Sequence, residues 1–107
     1  MKIGIILNSN EPETVWNALR FGTEALDKNH NTKIFLLGRG VEMEDIDDEK
    51  YHVKKQVDFF IENKGRILAC GTCLKSRQKK ESNICTISSM MELLELVEES
   101  DKLLTFG

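Results

Sequence analysis

Ile67-Leu68-Ala69-Cys70-Gly71-Thr72-Cys73-Leu74-Lys75-Ser76-Arg77 leads from an apolar run through a Cys-x-x-Cys pair into a basic segment. Ile67 to Cys70 is continuously apolar rather than alternating, the pattern of a parallel strand covered on both faces. Cys70 then falls at the carboxyl end of that strand, where a helix begins and several cations follow. A thiol so placed is biased toward thiolate, the form that attacks sulfur and binds metals. The stretch points at once to a layered α/β fold and to sulfur chemistry.

Four further apolar runs flank it: Lys2 to Asn8, Lys33 to Gly38, Asn83 to Ser88 and Lys102 to Phe106. The first two are again rich in consecutive Ile and Leu, as buried parallel strands require. Helical patterns fill the gaps. Val15, Ala18, Leu19, Gly22, Ala25 and Leu26 recur at helical spacing, with Asn10 as the expected N-cap and Pro12 and Glu13 in the first turn. Val53, Val57, Phe60 and Ile61 make a second stripe ending at Asn63-Lys64-Gly65, where the glycine is expected to turn left-handed. Ser89-Met90-Met91-Glu92 has capping-box spacing, and Met90, Leu93, Leu94 and Val97 carry a last helix from Ser89 to Glu99. The acidic stretch Arg39 to Glu49 reads as a surface loop.

With no repeat and no linker, the expectation is a single domain over residues 1–107. Its fold class is α/β: a three-layer doubly wound fold whose mainly parallel five-stranded sheet carries helices on both faces. In such sheets reacting groups collect at the carboxyl ends of the strands, near a topological switch point. Cys70 belongs to that edge, and so do Asn8, Ser9, Arg39, Gly40, Ser88 and Ser89.

Composition narrows the function. The 107 residues are 40% hydrophobic and 31% charged, those of a globular chain with one modest core. Eighteen acidic against 15 basic side chains leave a net charge of −3, which argues against a nucleic-acid binder, whose footprint is basic. No apolar stretch approaches the roughly 20 residues that span a bilayer, and Met1 to Asn8 reads as a first strand rather than a signal peptide. Three cysteines, an odd number without an export signal, suggest reduced thiols in the cytoplasm.

For Cys70 the functional reading is a nucleophile able to carry a persulfide; the plain one is a small apolar residue closing a strand. Cys73 sits one turn later, placed to resolve a disulfide or accept sulfur from Cys70, or simply to face the core. Cys85, inside Ile84-Cys85-Thr86-Ile87, reads as a core thiol. A structural zinc site needs two more ligands, and Cys85, His30 and His52 are scattered; no metal and no cofactor is expected. A thioredoxin-like dithiol is disfavoured because the motif follows the third strand and the sole proline, Pro12, opens the first helix. No glycine-rich phosphate loop appears. Trp16 and Met43 read as core or rim packing, and the basic run Lys75 to Lys80 as a solvated helix face or a handle for an acidic partner.

The chain resembles the DsrE/DsrF-like sulfur-relay family, which includes the TusD-type carriers and the YchN-like proteins. The resemblance runs through the strand Lys2 to Asn8, the helix containing Ala18 to Ala25, the Gly38-Arg39-Gly40-Val41 turn, and above all Ile67 to Arg77. Arg77 is followed here by Gln78, where the family usually has glycine. The resemblance implies an α/β sandwich, trimers or hexamers, and a persulfide-bearing cysteine at the third strand's end, a role that falls on Cys70. Cys73 matches the members with a second cysteine. Gly71, Thr72, Lys75 and Arg77 would stabilise the sulfur anion. The expected activity is that of a sulfurtransferase or sulfur carrier, with donor and acceptor proteins as partners and neither nucleic acid nor membrane. Two other readings stay open: a non-enzymatic oligomeric module binding a small molecule or protein, and a dithiol redox protein.

Overall fold

The computed structural model describes residues 1–107. Five strands, β1 (Lys2–Leu7), β2 (Asn31–Leu36), β3 (Arg66–Cys70), β4 (Cys85–Ser88) and β5 (Lys102–Phe106), form one sheet in the order β4-β3-β2-β1-β5. Every pairing is parallel. The connecting helices are α1 (Pro12–Asp27), α2 (Val53–Glu62), α3 (Gly71–Ser76) and α4 (Met90–Glu99), with a 3₁₀ segment at Gly38–Asp45. No helix is long and apolar enough to cross a membrane.

The order of strands dictates the layers. From β1 to β4 the chain steps always in one direction, so right-handed crossovers place their helices on one face; the return from β4 to β5 puts α4 on the other. Glycines report the alternation directly. A Cβ on Gly22 of α1 would meet the rings of Phe60 and the side chain of Ile5, whereas a Cβ on Gly4, one residue before Ile5, would meet Leu96 and Leu103. Ile5, Leu7, Ile34 and Leu36 thus face α1 and α2, fully buried or nearly so. Phe35, Leu68 and Cys70 project from the opposite face by strand alternation and register.

Several local expectations are corrected. The N-cap of α1 is Glu11, whose carboxylate accepts from the Glu13 and Thr14 amides, rather than Asn10. After α2 it is Lys64, at φ 72°, that turns left-handed. Gly65 serves instead to clear the Phe60 ring, which a Cβ there would approach at 2.4 Å. Residues 39–45 are not a surface loop: they belong to the 3₁₀ segment, which buries Gly40, Val41 and Met43 and pairs its acids Glu42, Glu44 and Asp45 with Arg77, Ser82 and Lys79. Ser89 caps α4 as expected, its hydroxyl accepting from the Glu92 amide. Trp16 is half-buried, its ring 5.2 Å from that of Tyr51, and Met43 is core.

Candidate functional site

The β3 strand delivers Cys70 to the carboxyl edge between the ends of β2 and β4. This is two strands away from the switch point, which lies where β5 joins β1, so the cysteines share the sheet's reactive edge but not its reversal. Cys70 is the N-cap of α3 and only 3% exposed; Cys73, one turn into the helix, is half-buried. Both are free thiols, as is Cys85.

The electrostatics differ from the sequence expectation. Burial, followed by the neighbouring Cys73 thiol, pushes the Cys70 pKa up; the amides of Cys73 and Thr72 pull against it without prevailing. These amides face the sulfur, although neither closes a full hydrogen bond to the neutral thiol. Cys70 therefore rests protonated, and the thiolate bias expected from its placement is overturned by desolvation. The cations explain part of the difference. Arg77 Nε donates to Glu42 at 2.7 Å and its Nη1 to the Cys73 carbonyl at 3.1 Å, while Lys79 pairs with Asp45. Arg77 is thus engaged with the 3₁₀ segment and not with the sulfur it was expected to stabilise. Lys75 and Thr72 are exposed on the short helix, and Gly71 packs beside the Ser88 carbonyl, 3.1 Å from where its Cβ would stand.

Two contacts escape any reading of local sequence. The Gly38 amide donates to Cys73 Sγ at 3.3 Å, across 35 positions. The Glu42–Arg77 pair spans the same separation and holds the 3₁₀ segment on α3, so that Gly38 stays at the second thiol. The glycine at 38 is required by its φ of 55° and by Asn8, whose Oδ1 a Cβ would meet at 2.6 Å. Only the Gly38-Arg39-Gly40 turn gave a local signal for this neighbour.

Cys85 is a core thiol, raised from 9.0 to about 12 by burial and by Glu44. His30 contacts the Met1 amino group and His52 caps α2, both remote from Cys70 in the chain. None of the five principal surface hollows is lined by Cys70 or Cys73. The most spacious, about 560 Å³, lies at Arg20, Phe21 and Phe106, beyond the far edge of β1.

Comparison with known proteins agrees with this architecture. Two uncharacterized archaeal proteins are each 31% identical over 100 residues: one from Methanocaldococcus jannaschii, with 88% of each chain covered, and one from Methanopyrus kandleri, with 88% of this chain and 83% of that one. The crystal structure of the ychN protein from E. coli superposes with a TM-score of 0.88 over 99% of both chains at 22% identity. A conserved protein of unknown function from Bacteroides thetaiotaomicron gives 0.78 over 98% of this chain and 94% of its own at 18% identity. The sequence profile of the DsrE/DsrF-like family matches residues 1–106, and the chain, with its parallel five-stranded sheet, belongs to that family.

Proposed function

We propose that this protein is a sulfur-relay carrier that accepts and passes on persulfide sulfur through Cys70. The observation that carries the reading is the cysteine's position: a strand-end thiol faced by two amides, with a second thiol against it, in a member of a family that includes sulfur-relay proteins. Cys70 Sγ attacks the outer sulfur of a donor persulfide as its own proton passes to the departing sulfur; the donor's S–S bond breaks, the donor leaves as thiol, and Cys70 carries the transferred sulfur as S–SH or its anion. An acceptor thiolate then attacks that outer sulfur and releases Cys70 as thiolate. A hydropersulfide is a stronger acid than its parent thiol, so a site that keeps the empty cysteine neutral still ionises the loaded one, and the amides of Thr72 and Cys73 stabilise that anion.

The donor in this reading is a protein partner's own persulfide, presented to the sheet edge where Cys70 ends β3. Lys75, exposed at the site's margin, suits an acidic donor or acceptor surface. A homo-oligomer, trimer or hexamer, is part of the proposal. The outer side of α4 leaves Met91 71%, Met90 59% and Leu94 58% exposed, a patch that a second copy would cover. A reducing compartment, the cytoplasm, belongs to the proposal, since carriage needs Cys70 and Cys73 kept as thiols.

Cys73 supports a second reading, a dithiol that cycles with Cys70, because the Gly38 amide is positioned to stabilise its sulfur. Intact mass after exposure to glutathione persulfide separates the two. A single added sulfur lost with Cys70→Ser but kept with Cys73→Ser supports carriage; loss of two protons in the wild type and no sulfur in any form supports the dithiol cycle.

A further inference from the structure

Ser88 closes β4 and pairs in register with Cys70 at the end of β3. The two side chains project from the same face of adjacent strands, about 4.8 Å apart in a parallel sheet. Ser88 is 6% exposed, yet its hydroxyl has no hydrogen-bond partner. That is unusual for its setting: buried hydroxyls nearly always find a partner, and the other buried polar residue of the strands, Thr32, donates to the His30 carbonyl at 3.1 Å. Its neighbour Thr86, two residues earlier on the same face, is exposed. A second buried hydroxyl without a partner, Thr23 Oγ1, lies on α1; on the sheet the orphan is Ser88, at the position beside Cys70.

We propose that Ser88 is a sulfur-binding residue, its hydroxyl rotating to donate a hydrogen bond to the sulfur anion held at Cys70. This rests on the relay reading for the loaded state, and extends it by naming a side-chain donor to the transferred sulfur. In the empty protein the hydroxyl is unpartnered; a turn of the Ser88 side chain about its Cα–Cβ bond brings the O–H to the sulfur once an anion forms. A charge-assisted bond from O–H to an anion is among the stronger hydrogen bonds, and it is formed only in the charged state.

The test compares wild type with Ser88→Ala and Ser88→Thr in two measurements. The first is the pH profile of Cys70 alkylation by iodoacetamide, read at Cys70 by peptide mapping. The titratable neighbours are Cys73 on α3 and Glu81, whose carboxylate accepts from the Ile87 amide. Ser88→Ala should lower the thiolate fraction at fixed pH roughly tenfold, moving the midpoint up by about one pH unit, and Ser88→Thr should restore it. The second is the lifetime of the sulfur on Cys70 after loading with glutathione persulfide, which Ser88→Ala should shorten several-fold. The urea unfolding midpoint of the reduced Ala variant should hold or rise, since an unpaired hydroxyl is being removed. An unchanged alkylation profile in Ser88→Ala overturns the proposal. If the wild type takes up no sulfur while the profile still shifts, the relay reading falls and Ser88 remains a donor to the thiolate.

Discussion

Cys70 and Cys85 are both buried, but only one has polar groups arranged around it. At Cys85, burial and Glu44 act in the same direction and hold the thiol at about 12. The folded value lies above the ordinary 9.0, so the folded state keeps its proton where the unfolded chain has lost it. The stabilisation is complete below about pH 9 and fades as pH climbs toward 12, by up to about 1.4 kcal/mol per unit. Urea midpoints taken from neutral to alkaline pH should fall more steeply for wild type than for Cys85→Ala; parallel slopes would contradict the assignment. At Cys70 the raised pKa and near-complete burial make the empty thiol slow: iodoacetamide should label Cys73 ahead of Cys70 at neutral pH, as peptide mapping will read. The sequence made Cys70 legible because strand-end cysteines are visible as a pattern. It could not reveal the protonated resting state, which depends on how much water the fold removes, nor the unpartnered Ser88 hydroxyl.

Elements with a short period were read well, and the one held by distant charges was not. The strands announced themselves through consecutive Ile and Leu, and α4 through its cap and stripe. The 3₁₀ segment was missed because its inward residues, Val41 and Met43, are few and lie among acids whose partners, Arg77 and Lys79, come 34 to 35 positions later. Its seat is steric as well as ionic. A Cβ at Gly40 would stand 2.0 Å from the Leu7 carbonyl oxygen, a backbone atom that cannot step aside. Gly40→Ala should therefore cost about 2 kcal/mol in denaturant unfolding. It should also speed Cys73 alkylation by lifting Gly38 off that sulfur. Wild-type stability and labelling in that variant would show that the segment does not position the site.

On the scale of the whole molecule the two faces of the sheet are unequal. One is covered by α1 and α2 packed on a continuous core; the other has α4 alone, and that helix is apolar on both sides. A Met91→Glu, Leu94→Glu double variant should keep its circular dichroism, because neither residue is in the core, and should lower the mass seen by light scattering to that of one chain. An unchanged mass would place any self-association elsewhere. The strand order has another consequence, which concerns manufacture. β1 lies in the interior of the finished sheet, yet its neighbour on one side, β5, is the last strand of that sheet to be synthesised. At ~5–20 residues per second, the flank of β1 that β5 will cover waits on the order of 5–20 s for its partner. During that interval the nascent chain presents the unpaired amides and carbonyls of Ile3 to Leu7 as a template for any other extended segment, and the window for misassembly closes only when Lys102 to Phe106 has emerged and docked beside β1.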